Sequence, residues 1–177
     1  YANLVAAYVA RRFGARALTV YREVRVGKTI IGKNRCVDIF CVGGAKAFAI
    51  ECKFQDSQGT VDEKIPYALD DLAALPMAGC IAYAGGGFSD GVLHMLAASP
   101  RAAYCLPGPL DLLPTRQTRE LDHLLGVVLG HEARAGHHRA GEPGEAQFAA
   151  LWNVAVGRLH RERGRVLEAA RLEQRGI

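Results

Sequence analysis

Apolar and polar positions alternate along the middle of the chain in two runs that are separated by a glycine pair at 43–44. Side chains of a β-strand point to opposite faces with a period of two, so these runs predict a β-hairpin with its turn at 42–45. One face of the second strand is apolar and is predicted to enter the core: Phe48, Ile50, Cys52 and Phe54. The other face carries two alanines followed by three functional groups: Ala47, Ala49, Glu51, Lys53 and Gln55.

The rest of the chain divides into alternating helical and strand patterns. Helical spacing of apolar residues predicts helices over 3–13, 60–75, a segment that begins at Ser89 or Asp90, 116–133 and 145–172. Pro66 lies inside the second of these and must kink the helix or delay its start. Strands are predicted over 17–26, 79–84 and 101–106.

This order of elements predicts an α/β fold with a central mixed β-sheet. An antiparallel meander begins the sheet, parallel crossovers follow it, and helices flank it. At 177 residues the chain has the length of one well-filled domain. We interpret 1–106 as the α/β core of that domain and 107–177 as a helical C-terminal extension.

Composition narrows the class of protein. No apolar run approaches the ~20 residues that span a bilayer, so we expect no membrane association. The five cysteines, at positions 36, 41, 52, 80 and 105, form no C-x-x-C pair, and four of them lie in apolar, strand-like runs. We interpret them as reduced core residues of a cytoplasmic, reducing compartment, with disulfides or a zinc site as the alternative.

The net charge of +4 is unevenly distributed. Residues 1–46 contain nine lysines and arginines against two acidic residues, a local charge of +7. A basic segment beside an acidic pocket suits a polyanion laid over a metal site. A solvated basic face is the alternative interpretation.

Three charged residues of the hairpin are the candidates for metal binding and catalysis. Asp38 and Glu51 lie inside strongly apolar runs, and Lys53 follows Glu51 on the same strand face. Charged groups on apolar strands are costly to bury without partners. Together they are what a site for one divalent cation and one activated water requires. The alternative is an ordinary Glu51–Lys53 pair on a solvated strand, with Asp38 elsewhere.

Asp38, twelve intervening residues and then Glu51-Cys52-Lys53 resemble the signature of the PD-(D/E)XK nuclease superfamily, which has the restriction-endonuclease-like fold. The predicted order of helix, three-stranded meander, helix and fourth strand is similar to the core of that fold. The resemblance covers about residues 3–106, and Val37 stands where the signature has proline. It implies a Mg²⁺-dependent endonuclease that hydrolyses phosphodiester bonds in DNA.

The resemblance also implies a role for each matching residue. Asp38 and Glu51 would bind Mg²⁺, with Mn²⁺ as a substitute, and the backbone carbonyl of Cys52 would assist them. Lys53 would orient or deprotonate the attacking water and stabilise charge on the phosphoryl oxygens. Gln55 would position the water or the scissile phosphate, with a plain surface role as the alternative.

Further candidates lie around this group. Many superfamily members carry an additional acid, and Glu23 is the candidate here, with pairing to a neighbouring arginine as the alternative. Four basic residues are candidates for contact with nucleic acid, with solvation as the alternative: Lys28, Lys33, Arg35 and Lys64. Cutting both strands of a duplex would suit a homodimer. The rival function is a catalytically inactive module of the same fold that binds DNA or a protein partner.

Overall fold

The computed structural model describes residues 1–57 and 59–130. In chain order the elements are α1 (Ala2–Phe13), β1 (Leu18–Lys28), β2 (Asn34–Gly43), β3 (Lys46–Phe54), α2 (Ile65–Ala73), β4 (Ala78–Ala84), α3 (Asp90–Ala98), β5 (Ala102–Tyr104) and α4 (Arg119–Leu129). Short 3₁₀ turns follow α1 and precede α2. The helix predicted over 145–172 lies outside the described residues.

The five strands form one sheet in the order β1-β2-β3-β4-β5. β1, β2 and β3 are antiparallel neighbours, whereas β4 runs parallel to β3 and β5 runs parallel to β4. The parallel connections pass through α2 and α3, since parallel strands need a crossover. The predicted α/β class, with a mixed sheet that begins as an antiparallel meander and is flanked by helices, is confirmed.

α1 and α4 cover one face of the sheet, and the main hydrophobic core lies between these helices and the sheet. The helices contribute Val5, Tyr8, Val9, Leu121 and Leu125, all buried. The sheet contributes Ile39, Cys41, Phe48, Ile50, Cys80 and Ala103. The helices are joined by polar contacts as well, because the Tyr8 hydroxyl lies 2.7 Å from Asp122 Oδ1. Although α4 lies beyond residue 106, it packs into the same core as α1.

The prediction that one face of β3 enters the core is confirmed for Phe48 and Ile50, but it is wrong at the end of the strand, for Phe54. Phe54 remains 43% exposed, with the ring of Tyr1 against it at a centroid distance of 5.4 Å. The other face of the sheet is covered by α2, whose Leu72 packs over Gly79 of β4.

The second helix begins later than the pattern predicts. A 3₁₀ turn occupies Asp62–Lys64, and α2 starts at Ile65 with Pro66 in its first turn. Proline lacks an N–H and is tolerated there, which explains the delayed start. Thr60 therefore lies before the helix and does not cap it.

All five cysteines are free in the structure. Among the helices of residues 1–57 and 59–130, none is long and apolar enough to cross a membrane.

Candidate active site

β2 and β3 separate at the point where the acidic residues lie. Their ladder ends with the pair Ile39 and Ile50, although β3 continues to pair with β4 as far as Phe54. The backbone amide of Cys52 therefore lacks a β2 carbonyl and donates instead to Asp38 Oδ2, at 2.7 Å. The Asp38 carboxylate takes the place of a backbone acceptor and opens a gap between the two strands.

Asp38 and Glu51 lie on the same side of the sheet. The pairing of Ile39 with Ile50, continued by one residue, puts Asp38 across from Glu51. Ile39 and Ile50 both enter the core below α1 and α4. Because successive side chains alternate, the two acids lie on the opposite face, which α2 covers. The hydrogen bond from the Cys52 amide holds the Asp38 carboxylate beside the residue that follows Glu51.

Glu51 and Lys53 form an ion pair along β3. Lys53 Nζ lies 2.7 Å from Glu51 Oε1, and both side chains are mostly buried, with 20% and 25% of their surfaces exposed. Burial raises the pKa of Glu51 above its ordinary value, the Lys53 ammonium opposes that shift, and the nearby Asp38 carboxylate adds to it. Glu51 is thus a carboxylate that further positive charge would stabilise.

The donor set fits a hard divalent cation. Asp38 Oδ1 and Glu51 Oε2 accept no hydrogen bond from any described residue. The N–H and C=O of a strand residue point the same way, so the Cys52 carbonyl faces the side on which its N–H meets Asp38. Burial raises the pKa of the Cys52 thiol, which leaves the main-chain oxygen as its contribution. Magnesium keeps several waters, so two carboxylates and a carbonyl suffice. In the described part of the chain, no group of three or more acidic, cysteine or histidine side chains is placed to hold a metal ion.

A cavity of about 400 Å³ opens beside this group. Its walls come from the turn between β1 and β2, from β2 and β3, and from α2 with the 3₁₀ turn before it: Thr29, Asn34, Arg35, Cys36, Val37, Glu51, Lys53, Lys64, Tyr67, Ala68, Asp71 and Leu72. Glu51 and Lys53 thus line a cavity whose opposite wall is a helix.

The cavity wall is held by a buried ion pair between β2 and α2. Arg35 is 6% exposed, and its Nε donates to Asp71 Oδ2 at 2.7 Å. A second nitrogen of the guanidinium donates to the main-chain oxygen of Asp71 at 2.8 Å. The same nitrogen also donates to Asp71 Oδ1, and these three hydrogen bonds fix α2 against the start of β2.

The predicted nucleic-acid contacts occupy different environments. Lys64 is exposed at the cavity, and Lys33 is exposed in the turn before β2. Lys28 is exposed with its Nζ 2.6 Å from Asn34 Oδ1. Arg35 is buried in its pair with Asp71, so a phosphate contact there would compete with that pair. For all four, nucleic-acid binding stays a prediction.

Glu23 occupies an unusual position in β1. The pairs Arg22–Ile39 and Val24–Val37 place it across from Asp38 in register. Its backbone has φ 52°, in the left-handed region, and its side chain is exposed. Its role as an additional ligand stays a prediction.

Gln55 follows Lys53 on the same strand face but is buried, with 5% of its surface exposed. Its Nε2 donates to the carbonyl of Gly87 at 2.7 Å and to Asp62 Oδ1 at 3.1 Å. Its Oε1 is buried and has no hydrogen-bond partner among the residues that the structure describes. The side chain therefore joins the end of β3 to the loop after β4, and its catalytic role stays a prediction.

The sequence reasoning missed the role of α2 as a wall of the site. Tyr67 and Asp71 line the cavity, and their spacing of four residues puts them on one helix face. This spacing is the sequence feature that could have identified α2 as a wall of the site. The partner of Asp71 is Arg35, 36 positions earlier in the chain, which no local pattern could identify.

A mixed sheet whose second and third strands separate around two carboxylates and a lysine is the architecture of a nuclease-like α/β domain. The family model of the PD-(D/E)XK nuclease superfamily domain matches residues 1–132. The chain therefore belongs to the PD-(D/E)XK nuclease superfamily.

Other comparisons add little to this assignment. A crystal structure of a protein of unknown function, AF1548, matches with a TM-score of 0.43 and 15% sequence identity. The match covers 72% of this chain and 66% of that one, so this chain spans slightly under two thirds of that protein. No curated protein has significant sequence similarity to this chain.

Proposed function

We propose that the protein is a metal-dependent endonuclease that hydrolyses phosphodiester bonds in DNA. The observation that carries the proposal is the meeting of Asp38, Glu51 and Lys53 at the point where β2 and β3 separate. Three charged groups on one sheet face, beside a cavity, have no role in packing the core. Because the chain belongs to a nuclease superfamily, we interpret this arrangement as a site for phosphodiester hydrolysis.

A divalent cation held by Asp38, Glu51 and the Cys52 carbonyl would supply positive charge to the phosphate and lower the pKa of a bound water. The chain's own groups prepare that site. The Cys52 amide orients the Asp38 carboxylate, and the Lys53 ammonium orients the Glu51 carboxylate. Neither acid has to be reorganised when the substrate binds.

Lys53 is the candidate for the group that holds the attacking water and stabilises the charge that develops on the phosphoryl oxygens during hydrolysis. An ammonium has three N–H donors, and one of those of Lys53 points to Glu51 at 2.7 Å. The remaining donors are available to hold the attacking water and a non-bridging phosphoryl oxygen. In the reaction a water oxygen bonds to phosphorus, one P–O ester bond breaks, and the leaving oxygen takes a proton.

Charge supports a polyanionic substrate. Residues 1–46 carry a charge of +7, and exposed lysines 28, 33 and 64 lie at or near the cavity. Phosphate contacts of this kind give salt-dependent binding without sequence preference. The rival function, an inactive module that binds DNA or protein, requires the three charged groups to have no chemical use.

The test is cleavage of supercoiled plasmid in the presence of Mg²⁺ or Mn²⁺. We expect nicked and linear products that EDTA abolishes. Lys53→Ala should lower the rate by about 10²–10⁴-fold, the typical contribution of a positioned proton-transfer group. The matched control is Lys46→Ala, which removes an exposed lysine of the same strand about 23 Å away and should cleave at the wild-type rate.

Two outcomes would contradict the proposal. Cleavage by Lys53→Ala at the wild-type rate would assign the activity to another group or to a contaminant. Absence of cleavage by the wild type, together with salt-sensitive retention of DNA, would favour the inactive binding module.

A further inference from the structure

The turn between β1 and β2, residues 28–34, exposes two large apolar side chains at its tip. Ile30 is 48% exposed and Ile31 is 62% exposed. Turn tips usually carry small or polar residues, because they face water. Adjacent isoleucines at such a tip contribute nothing to the core and point to a contact outside the chain.

The β1–β2 turn is held by its own hydrogen bonds. The Thr29 amide donates to the Lys33 carbonyl at 2.8 Å, and the Gly32 amide donates to the Thr29 carbonyl at 2.9 Å. The Lys33 amide also donates to Thr29 Oγ1 at 3.1 Å. Gly32 has φ +82°, which glycine adopts at little cost. The exposed isoleucines are therefore presented by an ordered backbone.

The same turn is attached to the candidate active site. The Ile30 amide donates to Asp71 Oδ1 at 2.8 Å, and Asp71 is the residue of α2 that also binds Arg35. The two ends of the turn line the cavity of Glu51 and Lys53 through Thr29 and Asn34. A substrate held over that cavity would meet the tip of the turn.

Positive charge stands on both sides of the apolar pair. Lys28 and Lys33 are exposed and flank the isoleucines. Lys28 Nζ donates to the neutral side-chain amide of Asn34, and no ion pair of Lys28 occurs among residues 1–57 and 59–130, so its charge remains available to a phosphate. An apolar tip between two cations matches a duplex, which offers stacked bases between two anionic backbones.

We propose that the β1–β2 turn is a wedge that inserts Ile30 or Ile31 between neighbouring base pairs of duplex DNA beside the cleaved phosphate. This inference rests on the proposed endonuclease function and adds a substrate-deforming element to it. Inserted apolar side chains partly unstack a base step and kink the duplex. The kink would bring the backbone towards the cavity that holds Glu51 and Lys53.

The experiment uses a short duplex that carries the fluorescent base 2-aminopurine at alternate steps, with Mg²⁺ and the Lys53→Ala protein so that the strands stay intact. Unstacking raises the fluorescence of 2-aminopurine, and we expect a several-fold rise on binding. The further change Ile30→Ala with Ile31→Ala should remove more than half of this rise and weaken binding by about tenfold, since both apolar contacts are lost.

Val127→Ala in the same background is the matched control, because Val127 is an apolar residue of α4 with 54% exposure. It should leave the fluorescence rise unchanged. The combination Ile30→Ala with Ile31→Met should regain the rise that the two alanines remove, because a long apolar side chain at one of the two positions can act as the wedge.

The outcomes separate the wedge from the enzyme. A wild-type protein that cleaves plasmid, paired with a fluorescence rise that survives both alanines, overturns the wedge alone. Dissociation of a dimer by the two alanines, with fluorescence unchanged, also overturns it and assigns the turn to a second copy of the chain. Absence of both cleavage and DNA binding in the wild type overturns the proposed function, and the wedge with it.

Discussion

Replacing Arg35 with methionine distinguishes two roles for this residue. The sequence predicts a contact with nucleic acid, whereas the structure pairs the guanidinium with Asp71, their side chains being 7% and 14% exposed. Removing one partner of a buried ion pair costs about 3–5 kcal/mol. Methionine keeps much of the apolar volume of arginine, so we expect a loss of about 3 kcal/mol in the free energy of unfolding. That is about a hundredfold in the folding equilibrium.

The matched control is Arg12→Met, the same substitution at a more exposed pair. Arg12 Nε lies 3.4 Å from Asp122 Oδ2, and its side chain is 32% exposed. Exposed pairs contribute about 0–1 kcal/mol, so this variant should lose less than about 1 kcal/mol. Urea unfolding followed by circular dichroism measures both changes. Equal losses in the two variants would show that the Arg35–Asp71 pair has no special structural role. An unchanged stability of Arg35→Met with a shallower salt dependence of DNA binding would assign Arg35 to phosphate contact instead.

Two further predictions concern the loop after β4 and the ionisation of Glu51. Gly87→Ala should destabilise the fold by about 1–3 kcal/mol, because a β-carbon there would lie 2.4 Å from the Ser57 carbonyl oxygen. In the same denaturation assay Gly86→Ala should be tolerated, because a β-carbon at Gly86 meets no atom of the described residues within 4 Å. Burial raises the pKa of Glu51 in the folded state. Without metal, ionisation of Glu51 therefore lowers the free energy of unfolding. This destabilisation is absent at low pH, where Glu51 is protonated in both states, and it grows as the pH rises through the raised pKa. In EDTA, Glu51→Gln should therefore melt above the wild type at alkaline pH, and the difference should vanish towards about pH 4. A Glu51→Gln protein that melts below the wild type at alkaline pH would contradict this account.

The face of the hairpin that carries the acids could be predicted from the sequence because strand periodicity is local. Phe48 and Ile50 enter the core as the alternation requires, which sends Glu51 and Lys53 to the other side. The mixed sheet followed from the order of elements. Pro66 gave a local reason for the late start of α2.

The separation of β2 from β3 could not be predicted, because it depends on which acceptor the Cys52 amide finds. A carbonyl of β2 would continue the ladder, whereas the Asp38 carboxylate ends it. The pairing of Arg35 with Asp71 is likewise a tertiary contact without a sequence period. Gln55 shows the same limit, since the loop at 85–87 buries a residue whose strand position favoured exposure to the site.

We propose that Asp38 and Glu51 share one cation at the separation of β2 and β3. The decisive measurement is anomalous diffraction at the manganese absorption edge from a crystal soaked in Mn²⁺. We expect one anomalous peak bonded to both carboxylates and to the Cys52 carbonyl. A peak elsewhere in the protein, with Asp38 and Glu51 bonded only to the Cys52 amide and to Lys53, would contradict it.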